Sequence, residues 1–204
     1  MSDVELPDSL ADLFDDDLLD ELSDALGPPE DERAEGRFEV EVELDGKAYC
    51  LRYRDGVLTG KKGFARGDPL VSAKVPSGAD AFLLGLLQAA LDGYPDAPAL
   101  AQRQKGARSL SQDQLQAVLD GVEKLNDMGL DLDVTGVGTF HMAIGVLDEV
   151  TRKVTAKVAQ ADVEAVLGGA PLSSMNSKVA IGGQKGLVTE FITALGPAWS
   201  VLKP

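Results

Sequence analysis

Phe38–Tyr53, FEVEVELDGKAYCLRY, reads as a β-hairpin. Phe38, Val40, Val42 and Leu44 alternate with Glu39, Glu41 and Glu43, the period of two that gives a strand one buried and one wet face. Asp45-Gly46 is a strong two-residue turn signal. The return strand sets Tyr49, Leu51 and Tyr53 on one side and Ala48, Cys50 and Arg52 on the other. Asp55-Gly56 predicts a second turn, Val57 to Gly67 a stretch rich in glycine and lysine, and Leu70 to Val75 a further strand. An antiparallel meander is the economical arrangement.

Beyond it, Ala79 to Asp92 carries Phe82, Leu83, Leu84, Leu86, Leu87, Ala90 and Leu91, apolar on nearly every side. Such a helix is either core all round or the wall of an apolar ligand pocket. Ser111 with Gln114 forms a capping box, and Leu115, Val118, Leu119, Val122 and Leu125 give a one-faced helix ending before Gly129. Strands follow at Leu130–Val134, at Thr139–Ile144 with Phe140, Met142 and Ile144 on one side, and at Val150–Gln160. The segment Val71-Ser72-Ala73-Lys74-Val75 matches Val154-Thr155-Ala156-Lys157-Val158, and Phe82-Leu83-Leu84-Gly85 matches Ala165-Val166-Leu167-Gly168 at the same offset. The spacing predicts two related halves.

The 204 residues carry a formal charge of −15, but residues 1–36 hold 14 acidic residues and one arginine, which leaves the other 168 near neutrality at −2. A neutral body with no basic stripe argues against nucleic acid as a partner. Apolar runs are far shorter than the roughly 20 residues of a membrane span, and the N-terminus is acidic where a signal peptide is basic. The expectation is a cytoplasmic protein that does not span a membrane. Leu6, Leu10, Leu13 and Phe14 mark one helical face of the acidic segment, and Leu18, Leu19, Leu22 and Leu26 another, before Gly27-Pro28-Pro29. This segment either docks on the body as a cap, serves as a solubilising arm, or recruits a protein partner through residues 1–26. The domain expectation is an acidic helical tail and linker at 1–36, a first half at 37–126 and a second at 127–204.

Chemistry-bearing motifs are sparse. Thr59-Gly60-Lys61-Lys62-Gly63 does not meet the phosphate-loop pattern and reads as a loop with solvated lysines, and Gly136, Gly138 and Gly145 do not fit a dinucleotide fingerprint. His141 is the single histidine and Cys50 the single cysteine. A strand histidine with no second ligand nearby reads as facing water or making one hydrogen bond. No nucleophile with its base, no paired acids and no metal cluster can be assembled, so the expectation is no catalytic residues, no metal, no cofactor and no enzyme.

Ser177–Leu195, SKVAIGGQKGLVTEFITAL, reads as a short strand, a double-glycine turn and a helix whose Leu187, Val188, Phe191, Ile192 and Leu195 share one face. With the strand Val154–Val158, a short helix Asp162–Leu167 and Gly168-Gly169-Ala170-Pro171 before it, the order of signals resembles the C-terminal part of the sterol carrier protein 2 (SCP2) family over residues 137–196. In that family a glycine and proline segment precedes a G-K-hydrophobic-K-hydrophobic-x-G strand; here Ser177 stands in place of the first Gly and Ala180 in place of the second Lys.

The resemblance implies an α+β fold with a mostly antiparallel sheet, helices on one face and an apolar tunnel for lipid chains or sterols. Residues expected to line such a tunnel are Phe82, Leu83, Leu86 and Leu87 in the first half, and Phe140, Met142, Leu172, Met175, Leu187 and Phe191 in the second. The function it implies is a non-enzymatic carrier of a lipid, sterol or other apolar small molecule. The alternative is an accessory module without a cavity.

Overall fold

A computed structural model describes residues 5–15, 17–19, 36–54, 57–91, 112–167, 177–183 and 185–194. The hairpin forms as its alternation requires: β1 (Arg37–Leu44) pairs antiparallel with β2 (Lys47–Arg54), Val40 opposite Leu51 and Val42 opposite Tyr49. Asp45 and Gly46 both take positive φ, 48° and 74°, the two left-handed positions that a tight hairpin turn demands. Next come β3 (Val57–Lys62), antiparallel to β2, and β4 (Val71–Val75). Thr59 to Lys62, expected to be a loop, is therefore strand.

The helix α1 (Asp80–Leu91) follows β4, and α2 (Gln112–Glu123) precedes β5 (Met128–Thr135). A second hairpin joins β5 to β6 (Gly138–Ile144); then β7 (Arg152–Ala159) runs straight into α3 (Gln160–Leu167). The last elements are a four-residue β8 (Ala180–Gly183) and α4 (Lys185–Ala194).

The eight strands among the described residues belong to one sheet in the order β3-β2-β1-β4-β6-β5-β7-β8. The expected class, α+β with a mostly antiparallel sheet or sheets and helices on one face, is corrected by this topology. The protein is strand-dominated, and its open sheet is mixed, with β4 parallel to β1 and β7 parallel to β5. The physical reason lies in residues 63–69. Instead of turning into another hairpin, the chain recrosses the polar face of the first two strands. There the amides of Ala65 and Arg66 donate to the carboxylates of Glu41 and Glu39, each at 3.0 Å. It re-enters the sheet beside β1 and in the same direction, the Leu70 amide donating to the Glu39 carbonyl at 2.8 Å.

Each half of the sheet thus contains a hairpin and a later strand parallel to the hairpin's first. In that scheme β4 and β7 hold equivalent places, and they are the strands that carry the matching segments VSAKV and VTAKV. The halves join where β4 pairs antiparallel with β6, Val71 opposite Ile144 and Lys74 opposite His141.

Register divides the sheet cleanly. One face carries ranks of apolar residues, such as Leu51, Val40, Val71 and Ile144 across four strands. Buried Ala79, Val134, Phe140 and Val158 form a cluster there with Phe82 and Leu83 of α1, and Leu125, Met128, Val154 and Leu187 form another. The other face is polar and laced by ion pairs: Glu39 with Arg52 at 2.6 Å, Glu43 with Lys74 at 2.6 Å, and Asp133 with Lys157 at 2.8 Å.

The start of the acidic segment packs against the apolar face. A 3-10 turn at Leu10–Phe14 buries Leu10 beside Leu44 and Tyr49, and the Phe14 ring lies 4.6 Å from that of Tyr49. The Leu10 amide donates to Asp80 at 3.0 Å. Gly60 of β3 has no side chain where Leu19 and the Phe14 backbone approach it: a Cβ there would stand 2.5 Å from Leu19 Cδ1. Residues 20–35 lie outside the described parts.

Candidate functional site

Of the ten residues expected to line a tunnel, seven have described side chains, and these fall in more than one part of the apolar face. Phe82 and Phe140 pack ring against ring, centroids 6.2 Å apart, with Leu83 in the same cluster. Leu187 belongs to the second cluster. Leu86 and Leu87 are half-buried on α1, and Met142 is half-buried between Ala73 and Leu130 on the apolar face. Leu172 and Met175, and the side chain of Phe191, lie outside the described residues.

A groove of about 630 Å³ opens elsewhere, at the end of the sheet where β1 and β4 begin and β6 ends. Its apolar wall is Phe38, Pro69, Leu70, Leu119 and Ile144; Arg37, Glu39, Asp68, Gln116, Glu123 and Asn126 surround it. Phe38 and Ile144 are presented by the apolar alternation of their strands, and Leu119 by the apolar stripe of α2. Leu70 is fixed from both sides: its amide bonds the Glu39 carbonyl, and its carbonyl accepts from the Gly145 amide at 3.0 Å. The buried Ser72 hydroxyl donates to the Gly145 carbonyl at 2.7 Å and fastens the same corner. The groove therefore sits on the join between the halves, with walls from β1, β4, β6 and α2.

One of its charged groups, Glu39, is held by partners of its own. Glu39 accepts from Arg52 Nε and from the Arg66 amide, and Arg52 above all holds its carboxyl below the ordinary 4.5. Cys50, beside it and 1% exposed, has its thiol pushed above the ordinary 9.0, first by burial and then by the charge of Glu39. A buried, protonated thiol is a poor nucleophile.

A second groove, about 490 Å³, lies at the opposite end of β4 and is lined by Glu43, Asp45, Lys74, Pro76, Ser77, Thr139 and His141 among others. His141 Nδ1 lies 2.8 Å from Asp131 Oδ1, the single hydrogen bond expected of it, and Lys74 is engaged by Glu43. Neither groove is lined by any of the seven expected residues whose side chains are described. Among the described residues no group of three His, Cys, Asp or Glu side chains could hold a metal ion. No helix among them is long and apolar enough to cross a membrane.

Sequence reasoning missed the larger groove because its wall comes from four segments, at 38, 69–70, 119 and 144, whose meeting depends on the parallel placement of β4. The signal available was Phe38 at the start of its apolar alternation. No protein-family model matches the chain, and no curated protein matches it.

Proposed function

We propose that the chain is a non-enzymatic cytoplasmic binding or carrier protein for an apolar or amphipathic small molecule of the lipid class, held in the groove between α2 and the start of β4. The observation that carries this reading is the groove itself: about 630 Å³, within the roughly 300–1,000 Å³ of small-molecule sites, with Phe38, Leu70, Leu119 and Ile144 as its apolar wall. Each CH₂ buried there contributes about 0.8 kcal/mol. Arg37, Glu39, Asp68 and Glu123 around the opening suit a ligand whose one end stays wet. The resemblance of residues 137–196 to the SCP2 family supports the same ligand class.

Displacement of a fluorescent fatty-acid reporter, with native mass spectrometry of the purified protein for copurifying lipid, tests the reading. Leu119→Arg places a charge on the apolar wall and is expected to weaken the reporter at least tenfold, a change of about 1.4 kcal/mol or more. Equal affinity in wild type and variant, or no reporter binding by wild type, refutes it.

The clustering of Phe82, Leu83 and Phe140 between α1 and the sheet favours a second reading, in which the body is an accessory module and the acidic segment recruits a partner. Burial of Leu10 and Leu19 takes those two residues out of any such interface. Pull-down of a protein by wild type, lost on deletion of residues 1–26, together with a groove that binds no reporter, would favour it.

A further inference from the structure

The segment between β3 and β4 carries a feature that groove binding does not use. Phe64 is 73% exposed, the most exposed of the large apolar side chains described. Lys61, Lys62 and Arg66 flank it, and no acidic residue occurs from Val57 to Gly67 in a chain of net charge −15. Among the described residues none of these three side chains makes an ion pair.

The loop is held in place. The Gly63 amide bonds the Ala48 carbonyl at 2.7 Å, with Gly63 at a φ of 112° that side chains rarely adopt. On the far side of Phe64 the Ala65 and Arg66 amides are tied to Glu41 and Glu39. Three hydrogen bonds thus fix the backbone on both sides of a phenyl ring that itself faces water.

We propose that the end of β3 and the turn after it, Lys61–Arg66, dock the protein on an anionic lipid surface, Phe64 entering the headgroup region while the three cations meet lipid phosphates. Charge complementarity selects the occupant. Each cation near such a surface contributes about a fivefold gain in partitioning, so three give about a hundredfold, and burial of the ring adds about tenfold. Thirteen of the fifteen net negative charges lie in residues 1–36, and at physiological salt the screening length is only about 8 Å. A single protruding aromatic among cations suits a fluid interface better than a protein surface, which needs a contiguous patch. The groove begins two residues on, at Asp68, so a docked loop brings the groove mouth to the membrane. In that last step the proposal rests on the lipid reading of the groove.

The test is cosedimentation of the full chain with vesicles of phosphatidylcholine alone and of phosphatidylcholine mixed with phosphatidylglycerol. Wild type is expected to bind the mixed vesicles, to release them as salt rises, and to ignore phosphatidylcholine alone. Phe64→Ser is expected to lower partitioning about tenfold with an unchanged melting temperature, since the ring is exposed. The triple change Lys61→Gln, Lys62→Gln and Arg66→Gln is expected to abolish it. No binding to mixed vesicles, equal binding by Phe64→Ser, or retention of soluble polyglutamate with no vesicle binding overturns the proposal. Leu119→Arg separates this reading from that of the groove: it is expected to lose the reporter and keep the vesicles.

Discussion

Phe140→Ala tests whether the space between α1 and the sheet is core or tunnel. The ring is 8% exposed and packs with Ala79, Val134 and Val158, against Phe82 at 6.2 Å. If this is filled core, truncation removes the transfer energy of a phenyl ring and leaves a cavity, at a cost of roughly 3–5 kcal/mol. The tilted pair with Phe82 accounts for about 0.5–1.5 kcal/mol of that. For a chain of this size each kcal/mol moves the melting temperature by about 2–4 °C, so a fall of about 10 °C is expected. The assay is urea unfolding of delipidated protein followed by circular dichroism, with the reporter titration run on the same preparation. A tunnel-lining ring has few protein atoms opposite it, and its loss costs little in the empty protein. A change below about 1 kcal/mol, accompanied by altered reporter affinity, refutes the packed-core reasoning.

Two further outcomes follow from single contacts. Gly60→Val drives a side chain into Leu19 and the Phe14 backbone; hydrogen exchange at residues 10–19 is expected to speed up, with a loss of about 1–3 kcal/mol in stability, and unchanged protection there disproves the docking of the acidic segment. Glu39 has a carboxyl whose folded value is depressed, so its stabilisation is present above the ordinary 4.5 and is lost as pH falls through the lower folded value. Glu39→Gln is therefore expected to lower stability near neutrality yet to lose less on acidification than wild type, and parallel urea midpoints for the two proteins between about pH 7 and pH 3 would contradict this.

Local structure was legible wherever one residue type at one spacing decides it. Asp45-Gly46 required a tight turn and received one, and the alternation from Phe38 to Leu44 marked the buried face. The match between VSAKV and VTAKV pointed to strands that hold equivalent places. Strand direction was not legible, because it was set by residues 63–69 returning over the polar face. That path depends on Glu39 and Glu41 accepting amides 24 to 27 residues away. Read from sequence, the same glutamates were only the wet side of a strand. The sequence is equally silent on packing against lining: hydrophobicity at Phe82, Phe140 and Leu187 was visible, but an apolar side chain that fills space and one that borders it have the same sequence signature.

The placement of β8 bears on assembly. Within the sheet the outer edge of β4 receives β6, the second strand of the next hairpin, whereas the equivalent edge of β7 receives only β8. A unit whose leading edge accepts the trailing hairpin of another unit is, in principle, the repeat of a growing filament. Four residues ending in Gly182-Gly183 occupy the site of addition at one end, and β3 occupies it at the other. These two short strands cover the edges at which a further hairpin would pair.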